Sequence, residues 1–230
     1  MTVDEVVKVV EAIAKLVGVM AWPAILVFVV FYFRTSLGEF IFSLTDITVK
    51  GAGINVTAKV KQREIVASLT AAAASRLNEK KTPESIKKDA QEAFEIVGDT
   101  VNARLIRRAS RSEVLWVDDI PANNAFERQS LEALGISFIL STSTEEALQE
   151  LERRSFDVII SDMGRPPDSK AGYTLLEAVK TRGIRTPVII YASSRAPEHV
   201  AEAKRRGAFG CTNRANELFE MTLAALNLRQ

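Results

Sequence analysis

Two short stretches, Val114-Leu-Trp-Val-Asp-Asp119 and Phe156-Asp-Val-Ile-Ile-Ser-Asp162, lie about forty residues apart and both end in carboxylates. Each is an apolar run of the kind that forms a buried strand. In an open α/β sheet, such runs deliver Asp118, Asp119 and Asp162 to the carboxyl edge, where ligands bind. Three carboxylates gathered at one edge cannot all ionise without a compensating cation. The pattern therefore calls for Mg2+ or a raised pKa.

Acids at a sheet edge need a scaffold, and the sequence from Glu113 onward supplies one. Strand-like Val114–Val117 precedes a helical Ala122–Leu134; Ser137–Leu140 and Ser143–Arg154 repeat the pair, and strand Phe156–Ile160 follows. A helix near Tyr173–Thr181, strand Val188–Tyr191, helix Pro197–Arg206, a short strand at Gly210–Cys211 and helix Glu217–Leu228 complete the alternation. Five βα units predict a parallel sheet covered on both faces and joined by right-handed crossovers.

The acid pair Asp118-Asp119, the run Ile159-Ile-Ser-Asp162 and Gly207-Ala208 before the last strand resemble the receiver domain of response regulators, from about Glu113 to Asn227. The resemblance implies a flavodoxin-like (βα)5 fold and a phosphorelay switch of two-component type. Asp162 stands at the phosphoacceptor position and, with Asp118 and Asp119, at the Mg2+-holding positions, and Gly164 where a backbone carbonyl completes the metal set. A histidine kinase or other signalling protein is the implied phosphoryl donor. The outer face of the fourth helix, fifth strand and last helix is the implied contact surface.

The chain departs from that pattern in several places. Ala192 falls where the family has a switch hydroxyl, with Ser193 one residue late; adjacent strand residues point to opposite faces. Arg214 falls at the lysine position and keeps the charge, so Arg214 and Ser193 are the expected phosphate-binding side chains, but its planar fork differs from an ammonium in geometry. Cys211 replaces the aromatic switch residue, and Ala215 the usual proline. The loop Met163–Gly172 is long and carries Arg165 and Lys170.

Upstream, Leu16–Phe33 is an uncharged run of 18 residues bracketed by Lys15 and Arg34. At about 1.5 Å per residue it spans roughly 27 Å, against a hydrocarbon core of about 30 Å. It has no polar face for a core helix and no small-residue cleavage site, so a single-pass membrane helix is expected over residues 1–34. Asp4, Lys8, Glu11 and Lys15 form a polar stripe in front of it, for interfacial seating or for meeting copies in a homo-oligomer. Lysines and arginines nearly tie on the two sides. The receiver-like domain sets the expected orientation, facing the cytoplasm from the inner membrane.

Between anchor and sheet, Asp46–Lys50 and Ile54–Val60 alternate around Gly51-Ala-Gly53, which predicts a β-hairpin within residues 35–61. Residues 62–112 are expected to form a helical linker or oligomerisation segment before the domain at 113–230. Gln62–Leu77 is alanine-rich, and Thr82-Pro83-Glu84 is a helix start. The next helix carries Ile86, Ala90, Ala93, Phe94, Val97 and Val101 on one stripe, and Arg104, Arg107, Arg108 and Arg111 close the segment. That basic run is compatible with phosphate contact, but a helix carboxyl end favours cations in any case.

Composition narrows the function. With 30 basic and 29 acidic residues, bulk charge gives no pull toward nucleic acid. One cysteine and one histidine exclude an internal disulfide and a histidine-rich metal site. No P-loop is present, Asp118-Asp119-Ile120 lacks the Asp-x-Asp spacing of haloacid-type phosphatases, and an enzyme is not expected. Nor is a DNA-binding output domain expected after the last helix. Two readings remain: a membrane-anchored phosphorelay receiver, or a membrane effector whose pseudo-receiver domain senses a ligand or partner and drives oligomerisation of its membrane helices. In the second, Arg165, Lys170 and Arg214 would surround an anion such as a nucleotide.

Overall fold

A computed structural model describes residues 54–75, 82–194 and 196–228. The expected membrane segment Leu16–Phe33, the polar stripe before it and the strand expected over Asp46–Lys50 lie outside those residues. No helix among the described residues is long and apolar enough to cross a membrane.

Five parallel strands form the core: β1 (Glu113–Val117), β2 (Ser137–Ser141), β3 (Val158–Ser161), β4 (Val188–Tyr191) and β5 (Gly210–Thr212). Their spatial order is β2-β1-β3-β4-β5, the flavodoxin-like arrangement. Around them run α1 (Ile54–Ser75), α2 (Pro83–Thr100), α3 (Ala103–Ala109), α4 (Ala125–Glu132), α5 (Thr144–Arg153), α6 (Ala171–Thr181), α7 (Pro197–Arg205) and α8 (Ala215–Asn227), with a 3-10 turn at Pro121–Asn124. The alternation from Glu113 onward is thus as the sequence predicts, with shifts of a few residues at element ends.

Strand side chains alternate between two apolar clusters. Val114, Trp116, Val158, Ile160, Ile189 and Tyr191 meet residues of α4 and α8. Leu115, Val117, Ile159, Val188 and Ile190 meet residues of α5, α6 and α7. Each fully buried aliphatic side chain contributes about 1.5–3 kcal/mol relative to exposure. Burial on both faces is why the central strands read as unbroken apolar runs.

The segment expected as a linker packs onto this core. Ile65, Leu69 and Ala72 recur along one face of α1 and are completely buried, as are Ala93 of α2 and, nearly so, Val97. Both helices belong to the same apolar cluster as α4 and α8. Polar contacts pin the layer: Lys61 Nζ donates to the Ala133 carbonyl at 2.6 Å, and Gln62 Nε2 to that of Val101 at 2.7 Å. Consequently α8, with eight of its thirteen residues buried, has the sheet on one side and the added helices on another.

Two local expectations need correction. Ile54–Val60 is the first part of helix α1, not a strand. A two-stranded hairpin alone has marginal stability, whereas a helix already nucleated on Ile65 and Leu69 extends by one hydrogen bond for each residue added. Phe94, placed on the apolar stripe of α2, is 59% exposed; the start of that helix is as expected, with Thr82 Oγ1 accepting the Ser85 N–H at 3.2 Å and Pro83 at the first position.

Candidate functional site

The site follows from strand register. Val117 of β1 pairs with Ser161 of β3. Beyond them the ladder continues: the Asp162 N–H donates to the Val117 carbonyl and the Asp118 N–H to that of Ser141, both at 2.9 Å. Asp118 and Asp162 therefore leave neighbouring strands side by side, with a strand spacing of about 4.8 Å. Asp119 follows, exposed at the rim.

The three acids have different surroundings. Asp118 is 6% exposed; its Oδ1 accepts the Ile120 N–H at 2.8 Å and its Oδ2 accepts Asn124 Nδ2 at 2.6 Å. Those bonds hold the carboxylate while tying down the turn into α4. Burial pushes the Asp162 carboxyl above its usual 3.8; the Met163 N–H opposes this, Asp118 raises it further, Arg165 opposes, and Asp119 adds a smaller push upward.

A raised carboxyl pKa sets the sign of a pH effect. Between the unfolded value and the raised one, the folded chain retains a proton that the unfolded chain releases, so stability falls as pH rises through that window. Asp162→Asn is therefore expected to unfold at a higher temperature than the parent at pH 7. The advantage should vanish below the ordinary carboxyl value; thermal melts across pH check this, and an equal gain at all pH values would exclude ionisation as its cause.

Arg165 is the largest addition to what the sequence allowed. The sequence placed it on the long loop after β3 as a cation that could help surround an anion, but it is 3% exposed and lies close to the three acids. Its Nη1 donates to Ser161 Oγ at 2.8 Å and to the Asp162 carbonyl at 2.7 Å, and its Nη2 to Thr144 Oγ1 at 3.0 Å. The loop that turns it inward is closed by paired backbone bonds between Arg165 and Asp168. Asp168 then anchors the loop to α6 through the Lys170 N–H at 2.7 Å and Thr174 Oγ1 at 2.6 Å. Gly172 permits the close approach of α6: a Cβ there would come within 2.8 Å of the Asp162 carbonyl oxygen.

Of the other predicted site residues, Gly164 lies in this loop against the Ser169 backbone. Ser193 is exposed beyond β4, while Ala192 is buried. Cys211 is buried in β5, and burial pushes its thiol pKa up. Arg214, expected to bind phosphate, instead engages Asp89 at 3.2 Å, Glu92, and Glu217 at 3.3 Å. Two of these partners are on α2. A long guanidinium takes the nearest carboxylates, and the added helical layer brings two within reach.

In kind, the donors suit Mg2+: hard carboxylate oxygens at adjacent strand ends, plus the Gly164 carbonyl. Among the described residues, Asp118, Asp119 and Asp162 set against the guanidinium of Arg165 leave negative charge that a divalent ion would neutralise. Among the described residues, however, no three acidic, histidine or cysteine side chains are drawn to ligand spacing. The site is a set of neighbouring carboxylates, not a finished metal cage.

Comparison with known proteins identifies a domain within the chain. Residues 114–223 match the response regulator receiver domain family. The chain is 36% identical over 101 residues to a gliding motility regulatory protein of Myxococcus xanthus, covering 43% of this chain and 12% of that one. It is 33% identical over 97 residues to the response regulator protein FleR of Pseudomonas aeruginosa, covering 42% of this chain and 20% of that relative. The match thus spans a small part of both relatives. Among solved structures, the receiver domain of a Francisella response regulator aligns with a TM-score of 0.48 and 24% identity, over 52% of this chain and 99% of that one.

Proposed function

Because residues 114–223 are a response regulator receiver domain, we propose that this chain is a membrane-tethered phosphorelay switch whose phosphoacceptor is Asp162. The observation that carries this reading is the β1–β3 register, which sets Asp118 beside Asp162 at the carboxyl rim. A histidine kinase, or another signalling protein, would donate the phosphoryl group. In that step an Asp162 carboxylate oxygen attacks phosphorus, the P–N bond of the phosphohistidine breaks, and the imidazole departs. The nucleophile must be ionised, and Arg165, one of the groups lowering the Asp162 pKa, favours that form. Asp118, Asp119, Asp162 and the Gly164 carbonyl would hold Mg2+, which supplies charge neutralisation at the phosphoryl oxygens. Leu16–Phe33 would tether the chain to the inner membrane as a single span, with the receiver domain facing the cytoplasm and copies meeting as a homo-oligomer. Beryllofluoride tests the assignment: added to Mg2+, it should change the spectra or assembly of the parent chain further, and add nothing to the effect of Mg2+ alone in Asp162→Asn.

One observation favours the second reading, a pseudo-receiver that senses a ligand or partner and drives assembly of the membrane helices. Arg214 is bound to α2, so the cation at the phosphate-binding position is coupled to the helical layer. Arg214→Ala is expected to loosen α2 and lower stability by about 1–2 kcal/mol. Hydrogen exchange should quicken over Pro83–Thr100 more than over β1 and β3; uniform exchange would exclude a coupling role.

A further inference from the structure

At the rim opposite the acids, Arg104, Arg107, Arg108 and Arg111 line an open depression of about 430 Å3 whose wall includes Ser112 and Asp157. Ser112 and Asp157 lie just before β1 and β3, so this is the amino edge of the sheet. Arg104, Arg107 and Arg111 are exposed and make no ion pair among the described residues. Arg108 is anchored, its Nη2 donating to the Leu226 carbonyl at 2.7 Å and its Nη1 to Asn227 Oδ1 at 3.0 Å. Asp157 is tied to the strand entry, its Oδ2 accepting the Glu113 N–H at 2.9 Å.

The helix dipole does not account for this cluster. It favours Arg107 and Arg108 in the last turn of α3, but disfavours a cation at Arg104 in the first turn, and it does not reach Arg111 beyond the helix. Arg104 lies three and four residues before Arg107 and Arg108, and like charges at those spacings destabilise a helix. A second depression of about 390 Å3 also draws on Arg104 and Arg108, with Thr100 and Asn102 in its wall. The two together make an extended basic trough. Guanidinium forks match phosphate oxygens bidentately.

We infer that this trough binds a phosphate-bearing anion with at least two neighbouring phosphate groups, either a soluble polyphosphate ester or a phospholipid headgroup. Calorimetric titration of the full chain in phosphatidylcholine nanodiscs with sodium tripolyphosphate should show saturable binding that weakens as salt rises. Arg104→Gln/Arg107→Gln/Arg111→Gln should reduce affinity roughly tenfold or more, while its melting temperature stays at or above that of the parent, because the side chains are exposed and mutually repelling. Asp162→Asn should bind as the parent does, since the acids lie at the other rim. Adding cardiolipin to the discs separates the sources: a fall in tripolyphosphate affinity seen only with the parent arginines identifies the headgroup, and an unchanged affinity identifies a soluble anion. No saturable binding, or equal binding by parent and triple variant, would overturn the assignment.

Discussion

In Asp162→Asn the response that acetyl phosphate or beryllofluoride adds to that of Mg2+ is expected to disappear altogether. An amide oxygen cannot serve as the carboxylate nucleophile or form the acyl phosphate, so the loss should be complete within detection. Trp116 is a suitable reporter. It is buried on β1 two residues before Asp118, with edge contacts to Phe138 at 6.0 Å and Tyr191 at 6.1 Å and the Arg128 guanidinium 5.7 Å from its ring. A shift at the rim that moves β1 or α4 would alter its emission. A weakened response to Mg2+ alone should survive, because Asp118 and Asp119 remain. A phospho-dependent change that persists in Asp162→Asn would place the acceptor elsewhere.

Arg165→Ala is expected to lower unfolding free energy by about 2 kcal/mol, measured by urea denaturation. Hydrogen bonds to a charged group are worth about 1.5–3 kcal/mol, and truncation leaves Ser161 Oγ, Thr144 Oγ1 and the Asp162 carbonyl without this donor. The net effect is smaller than their sum. Burying the ion is itself costly, and the Arg165 Nε is buried without a partner. Lysine should not restore the parent, since one ammonium cannot reach Thr144 on one side and Ser161 and Asp162 on the other in the same fork. The Asp162 carboxyl should titrate still higher in Arg165→Ala. A variant within about 0.5 kcal/mol of the parent, the range of an ordinary surface change, would mean the guanidinium is peripheral.

The strands, their parallel pairing and the rim position of the three acids were legible from Val114–Asp119 and Phe156–Asp162. The signal is local, since an apolar run long enough for one strand and closed by carboxylates has few other uses in a sheet buried on both faces. The start of α2 was legible for the same reason, because a cap acts within one turn. The fate of Ile54–Val60 was not. Its alternation suits a strand, and its helical state depends on Ile65 and Leu69 finding α4 and α2 to pack against.

The charged side chains were less legible still. Position along the chain is enough to put Arg165 and Arg214 beside an acid-bearing sheet edge. That Arg165 turns in beside the acids while Arg214 turns away to Asp89 and Glu92 follows from packing of the whole fold. A guanidinium on a long, flexible stem can reach several partners at nearly equal cost. Which carboxylate it meets is set by helices distant in sequence, a nonlocal outcome that residue spacing does not encode.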